Sequence, residues 1–300
     1  MKENKTKKFM GRIVAGAYYD MQIIRIGTKN RIRDVIRKKI EGIPFDAVED
    51  KKEEKKFEKK YTDIQLFEKL GKLKDKSGID EDEYEYIKKC WKMASESQKI
   101  ENRYKTAMLE YVESEKVYTE FLQLIRGIGP VLSANLIKEF GDCKMYDNVA
   151  KLWAHTGNHV VGGIAPKKRK GEDLTFSPRL RMFTWKISDS LMKSNKGIYR
   201  QVYDTTKEAM LNKEYGKGEL KEKYSKPYKE EDIHLSKGHA HNMALRKMRK
   251  LFLSHYWSCA REMAGLEVRV PYVEEKLKHK NIITWRKAIK NEPKPKEKVL

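Results

Sequence analysis

The chain has 300 residues, 39% hydrophobic and 37% charged, with 66 Lys and Arg against 44 Asp and Glu and a formal net charge of +22. That apolar content is enough for a core and excludes a wholly disordered chain. The basic excess points to a polyanionic partner, nucleic acid first and an anionic membrane surface second. A charge-coated surface of the thermophilic kind raises both signs together and does not by itself give +22. Cys90, Cys143 and Cys259 lie far apart and form no CxxC pair, so neither a disulfide framework nor a zinc ribbon is expected. No apolar run follows the basic start MKENKTKKF and none approaches the ~18 residues of a spanning helix. The expectation is a soluble, cytoplasmic, nucleoid-associated protein with no membrane partner.

Residues 12–40 lack Pro and place Val14, Ala17, Met21, Ile24, Ile32, Val35 and Ile36 at helical spacing, weakened by Gly16 and Gly27. Gly42 and Pro44 supply a stop. Residues 49–60 mix charges with few apolar residues, as a solvated helix or linker does. A second long helix is predicted from about Asp80, where acidic residues suit the positive end of a helix dipole. Ile87, Trp91, Ala94, Ser97, Glu101, Tyr104, Met108, Tyr111, Glu115, Tyr118 and Leu122 step alternately by three and four, a heptad seam interrupted at Ser97, Glu101 and Glu115. A helix over 84–122 would be about 55–60 Å long at ~1.5 Å per residue, so it needs a partner helix. Residues 12–40 and a second subunit are both candidates.

Gly and Pro punctuate residues 126–178 densely, marking a compact domain of short elements. Ser177-Pro178 reads as an N-cap followed by Pro at the first helical position, and Leu180, Phe183, Ile187 and Leu191 give the helix an apolar face. Residues 213–232, rich in Lys, Glu and Tyr, read as an exposed charged insertion. The last strong helix spans about 240–264, with Met248, Leu251, Phe252, Tyr256, Cys259 and Met263 inward and Arg246, Lys247, Arg249 and Lys250 clustered near its start. The tail from Lys276 reads as basic and flexible. The expected fold is mainly α, with long antiparallel coiled-coil helices and a compact helical domain containing a helix-hairpin-helix. The expected divisions are 1–61, 62–122, 123–275 and 276–300.

The sharpest signal is the segment 121–141, FLQLIRGIGPVLSANLIKEFG. Gly127 and Gly129 flank Ile128, so two residues free to take positive φ bracket one side chain that plugs into the core. Pro130 suits the first turn of the second helix, whose unpaired amides face outward from a bend without bulky side chains, where a phosphate can approach. The pattern resembles the helix-hairpin-helix family, whose Gly-hydrophobe-Gly hairpin binds DNA backbone without reading base sequence. A purely structural helical hairpin also uses Gly at its turn. Gly127, Gly129, Val131 and Ser133 are the expected amide donors, with Arg126 and Lys138 adding charge.

Farther along come FGDCKMYDNVAKLWAHTGN at 140–158 and SPRLRMFTWKISDSLMK at 177–193. With the hairpin these look like the C-terminal transposase domain of the DEDD-type, bridge-RNA-guided insertion-sequence recombinases. Residues 22–42, QIIRIGTKNRIRDVIRKKIEG, are similar to the helix that opens that family's coiled coil. The resemblance implies a DNA-binding recombinase body without the family's RuvC-like nuclease domain, because no strand-rich acidic segment occurs in the sequence. The family's serine nucleophile has no counterpart in the central part of the loop HTGNHVVGGIAPKKRKGEDLTFSP. Ser177 lies at its end, where an N-cap explains it. Lys167, Lys168, Arg169 and Lys170 in the same loop form a cation run suited to phosphate, or a solvated loop. Arg179 and Arg181 stand in a first helical turn, where the dipole disfavours cations. A phosphate or an acidic side chain must answer them.

His155 and His159 flank Gly157 and suit phosphate contact or general-base work, though ordinary loop histidines are commoner. His234, His239 and His241 with Asp232 do not make a metal set at their spacing, and no metal or cofactor is called for. Three readings stand at this stage. The first is a sequence-nonspecific DNA-backbone binder derived from a recombinase, not itself an enzyme and homo-oligomeric through its coiled coil. The second is an active transposase subunit for DNA strand transfer, using Ser177 or His155 or a nuclease partner in trans. The third is a scaffold for structured RNA.

Overall fold

A computed structural model describes residues 2–44, 78–167, 171, 173–224, 227–269 and 283–292. The charged run 49–60, Lys168, Arg169 and Lys170, and tail residues 276–282 and 293–300 lie outside them. Among the described residues the protein is mainly α-helical, and an isolated bridge between Val161 and Ile164 takes the place of any strand. The chain forms two units, Met1–Met108 and Leu109–Leu300.

The first unit is built on α1 (Lys2–Glu41) and most of α2 (Glu81–Glu113). Helix α1 begins ten residues before the predicted start, since the Lys, Glu and Thr preceding Arg12 carry helix well enough to extend it. It ends at Gly42, whose φ of +64° lets Ile43 N–H reach the carbonyl of Lys38 at 2.9 Å. Helix α2 opens with a reciprocal capping box: Glu83 N–H donates to the Asp80 carboxylate at 2.8 Å, and Asp80 N–H donates to the Glu83 carboxylate at 3.1 Å. Lys39 pairs with Glu83 and Arg25 with Glu101, both at 2.6 Å, so numbering rises along one helix as it falls along the other. The helices are antiparallel. Ile32, Ile36, Ile79 and Ile87 form their core, with Ile40, Tyr84, Cys90 and Trp91 packed against it. The interruption of the heptad seam at Glu101 is explained by Arg25, which neutralises it inside the seam.

Helix α2 stops at Glu113, short of the predicted Leu122. The chain turns at Ser114 and Glu115 and continues as α3 (Lys116–Glu120) and one 3-10 turn (Leu122–Leu124). The bend lets adjacent Phe121 and Leu122 both be fully buried, which two neighbours on one straight exposed helix would not achieve.

The second unit adds α4 (Pro130–Phe140), α5 (Val149–His155), α6 (Pro178–Ser194), α7 (Ile198–Asn212), α8 (Glu219–Tyr224), α9 (Lys237–Met263) and α10 (Trp285–Lys290). Helix α9 is the axle. Its Phe252 stacks on Phe121 at 5.9 Å and meets Tyr199 of α7 edge-on at 5.6 Å, while Tyr256 meets Phe140 of α4 at 6.2 Å. Two of its large side chains satisfy their polar atoms on backbone: Tyr256 donates to the carbonyl of Gly141 and Trp257 to that of Tyr146. Residues 213–232 are not simply an exposed insertion. Tyr215, Leu220, Tyr228 and Leu235 bury one another in a satellite core beside Met210, Tyr224 and Met243, while Lys217, Glu219, Lys221, Glu222, Lys229 and Glu230 stay exposed. Tyrosine does this well because its ring is apolar while its hydroxyl finds a partner.

Candidate nucleic-acid interface

Two places in the second unit gather positive charge or unpaired donors, one at each end of α6. At the C-terminal end lies the bend 126–130. Ile128 is buried as its flanking glycines predict. Gly127 has φ +101°, and a Cβ there would lie 3.1 Å from the Ser190 carbonyl oxygen, so the bend fits against α6 only with glycine. Ser190 Oγ donates to the Gly127 carbonyl at 2.6 Å and Asn195 Nδ2 to that of Arg126 at 3.1 Å. Gly129 differs from the expectation of positive φ: it caps α4 at φ −88°, with Pro130 at the first helical position. Its Cβ position is open, which keeps that side of the bend clear. Ser133 is not an outward donor, because its amide is spent on the Gly129 carbonyl at 3.0 Å and the residue is fully buried. Val131 is half-buried at the helix start. A carboxylate stands against this bend as well: Glu292 takes the amide of Arg126 and the Nδ2 of Asn195, and burial pushes its acid up.

Lys138 and Arg179 converge on a different acid. Arg179 grips Glu139 with two bonds of 2.6 Å, and Lys138 lies 3.7 Å from the same carboxylate. Of the two answers open to a cation in the first turn of α6, Arg179 has the acidic side chain. Arg181, two residues on and therefore on nearly the opposite face of the helix, has no such partner among the described residues. It donates to the carbonyl of Pro166 at 2.6 Å and lies over the Phe176 ring at 4.9 Å.

Arg181 opens onto a cavity of about 850 Å³ at the N-terminal end of α6. One wall is α6 itself, with Pro178, Arg181, Met182 and Trp185; another is α9, with His239, Asn242, Arg246 and Arg249. Each set repeats at three or four residues, one face of a helix. The loop residues Lys167 and Phe176 and the satellite-core tyrosines Tyr224 and Tyr228 close the remaining sides. No Asp or Glu is among the described residues of this lining. Arg249 is only 6% exposed, and its Nε and Nη1 have no hydrogen-bond partner; Arg246 Nε is likewise unpaired. Burial, then the neighbouring charges of Arg246 and Arg181, lower the Arg249 guanidinium to about 9, so it is still charged at neutral pH. Arg246 is lowered by burial and by Arg181. Removing a charge from water costs several kcal/mol unless it is paired, and among the described residues no acid pairs with Arg246 or Arg249.

His239 shares the cavity. Tyr228 Oη accepts the Ser236 amide at 3.2 Å and is hydrogen-bonded to His239 Nδ1 at 2.8 Å. Burial, then Arg246 and Lys167, hold this histidine below its usual range and therefore neutral. The other histidines disperse: His241 pairs with Tyr203, and His234 lies against the Lys213 carbonyl. No group of three potential metal ligands occurs among the described residues.

The remaining sequence candidates are occupied by structural work. Ser177 Oγ caps α6 by accepting the Leu180 amide at 3.3 Å. His155 Nδ1 meets Tyr146 Oη at 2.7 Å, and its carbonyl accepts the Ser177 amide. Lys167 joins the cavity, while Lys168, Arg169 and Lys170 lie outside the described residues. Sequence reasoning noted the cations at 246–250 without seeing that Arg246 and Arg249 share a face with Asn242 and His239; that spacing was the available signal. No protein family, curated protein or solved structure gives a significant match to the chain. No described helix is long and apolar enough to cross a membrane.

Proposed function

We propose that the protein binds nucleic acid through its phosphates without reading base sequence, using the arginine cavity and the bend 126–130 at the two ends of α6. The observation that carries this is Arg249, buried and unpaired among Arg181 and Arg246 in a cavity with no acid among its described lining residues. The cavity is the stronger site of the two, because the bend has Glu292 behind it. From Arg181 to the Ser190–Ser194 stretch that holds Gly127 is about 15 Å at ~1.5 Å per residue, the rise of about four nucleotides at ~3.4 Å each. The two sites lie on different faces of α6, so a strand that meets both must pass around the helix. A net charge of +22 favours a polyanion over a small one.

The likeness of the hairpin and of residues 177–193 to bridge-RNA-guided recombinases supports a DNA partner, with structured RNA as the related alternative. A second copy of the chain is proposed as a further partner, since α1 exposes Phe9, Met10, Ile13, Ile23, Ile24 and Ile26. The test is fluorescence anisotropy with single- and double-stranded oligonucleotides of unrelated sequence across a salt series. Affinity is expected to be independent of sequence and to fall steeply with salt, by ~0.9 in log–log slope for each phosphate engaged. Absence of binding at low salt, or binding indifferent to salt, would overturn the reading.

A further inference from the structure

On the basis of the phosphate binding proposed for this unit, we infer that the cavity holds one unstacked nucleotide bearing a terminal phosphate monoester. The phosphate sits among Arg181, Arg246 and Arg249, and the base lies against Trp185 and the Tyr224 and Tyr228 side.

Charge decides between a monoester and an internal diester. A diester brings one negative charge, and a monoester brings about −1.5 to −2 at neutral pH. Three arginines and Lys167 converge here with no carboxylate among the described lining residues, so the dianion is the better match. Guanidinium groups are also the side chains best shaped for phosphate oxygens, through paired parallel donors. The unpaired Nε and Nη1 of Arg249 and Nε of Arg246 supply such donors already desolvated. His239 lines the same cavity.

Depth gives the direction. Arg249 is 6% exposed and belongs to the inner wall, whereas Trp185 is 44% and Met182 57% exposed, at the mouth. The phosphate therefore lies inside and the base toward the opening, with the rest of a strand leading out. An internal phosphate would need a second exit past Arg249; a terminal one does not. A volume of about 850 Å³ falls within the ~300–1,000 Å³ of ordinary ligand sites and accommodates a nucleotide. The aromatic faces offer stacking that tolerates any base. A free nucleoside monophosphate presents the same chemistry as the phosphorylated end of a strand.

The experiment is titration of the full chain, read by calorimetry and tryptophan fluorescence. The probes are inorganic phosphate, adenosine monophosphate, and a thymidine hexanucleotide carrying a 5′-phosphate, a 3′-phosphate or hydroxyl ends only. A phosphorylated hexanucleotide is expected to bind at least tenfold more tightly than the hydroxyl-ended one, with the monophosphate competing for the difference. Arg249→Met and Arg246→Met should erase that preference. Trp185→Ala should weaken the nucleoside monophosphate while leaving inorganic phosphate alone, and melting curves establish that each variant is folded. Equal affinity for phosphorylated and hydroxyl-ended strands would overturn the inference while leaving phosphate-backbone binding standing. Failure of every oligonucleotide would overturn the backbone reading itself. Tight binding of the monophosphate alone, lost in Arg249→Met, would keep the nucleotide cavity and overturn its assignment to strand ends.

Discussion

In the first unit Arg25 reaches across the helix pair to Glu101 at 2.6 Å, and the buried Arg37 lies between Asp34 and Glu41. In the second unit Arg249 is as deeply placed as Arg37 and faces two further arginines instead of an acid. Arg261, also buried there, is satisfied by the carbonyls of Cys143, Tyr146 and Glu267. One chain thus shows what it does with arginines that serve only the fold: it gives each a carboxylate or a set of carbonyls. Where that provision is missing, the missing partner is expected to come from outside. Positive charge alone does not identify the site, since Lys138 and Arg179 are as basic and are already answered by Glu139.

The comparison breaks most readily in the first unit. Glu101→Ala leaves Arg25 unpaired inside the helix seam, and loss of one partner of a buried pair costs about 3–5 kcal/mol. Urea unfolding followed by circular dichroism should show this as a large fall in midpoint, partly restored by Arg25→Met in the same chain; no change would mean that the pair is idle.

His255 is the neutral counterpart of these arginines. It accepts from Tyr199 at Nδ1 and donates from Nε2 to the Ile283 carbonyl, and burial lowers it to about 4. Its pKa when unfolded is about 6.5. The unfolded chain therefore takes up the proton first, so the stability linked to this group is complete above pH 6.5 and is lost as pH falls from there through 4. The expected loss is about 3 kcal/mol at ~1.4 kcal/mol per pH unit. Chemical denaturation from pH 7 to 4 checks it against His255→Gln, which should flatten the profile.

A smaller effect is expected at Gly157. Its φ is +64°, and a Cβ there would lie 2.6 Å from the Phe176 ring and 3.2 Å from Arg181 Cδ. Gly157→Ala should cost about 2 kcal/mol through backbone conformation and crowding. Because Phe176 and Arg181 line the cavity, it should also weaken nucleotide binding. Smallest of all is the change at the exposed Arg126. Arg126→Ala should leave the melting temperature in place and reduce the log–log salt slope of binding by about one. An unchanged slope would remove the bend from the interface.

Much of this was legible in the residues. The three-and-four spacing from Ile87 to Met108 announced a long helix wanting a partner, and α1 provides one. Gly127, Ile128 and Pro130 announced a tight bend with a buried plug, and Ser177-Pro178 announced a helix start. What escaped was what depends on elements distant in sequence. Nothing in residues 121–129 alone says that the helix must break at Ser114 so that Phe121 can reach Phe252 and Trp285. Arg249 stands beside Met248 on a helix whose inward face was evident, yet an arginine there reads as surface. It becomes interior only when the loop with Phe176 and the tyrosines at 224 and 228 close over it. Those tyrosines looked like part of a charged insertion because the lysines and glutamates around them dominate its composition.

Whether Arg249 is kept charged and unpaired for a ligand is tested most directly by replacing it with a neutral side chain of similar length. Arg249→Met, melted without ligand, is expected to be more stable than the natural protein by about 1–2 kcal/mol, since a buried charge without a partner gives way to apolar packing. With a 5′-phosphorylated oligonucleotide the natural protein should gain stability and the variant should gain none. A variant that melts lower without ligand and still gains as much from the oligonucleotide would contradict the claim that this arginine waits for a phosphate.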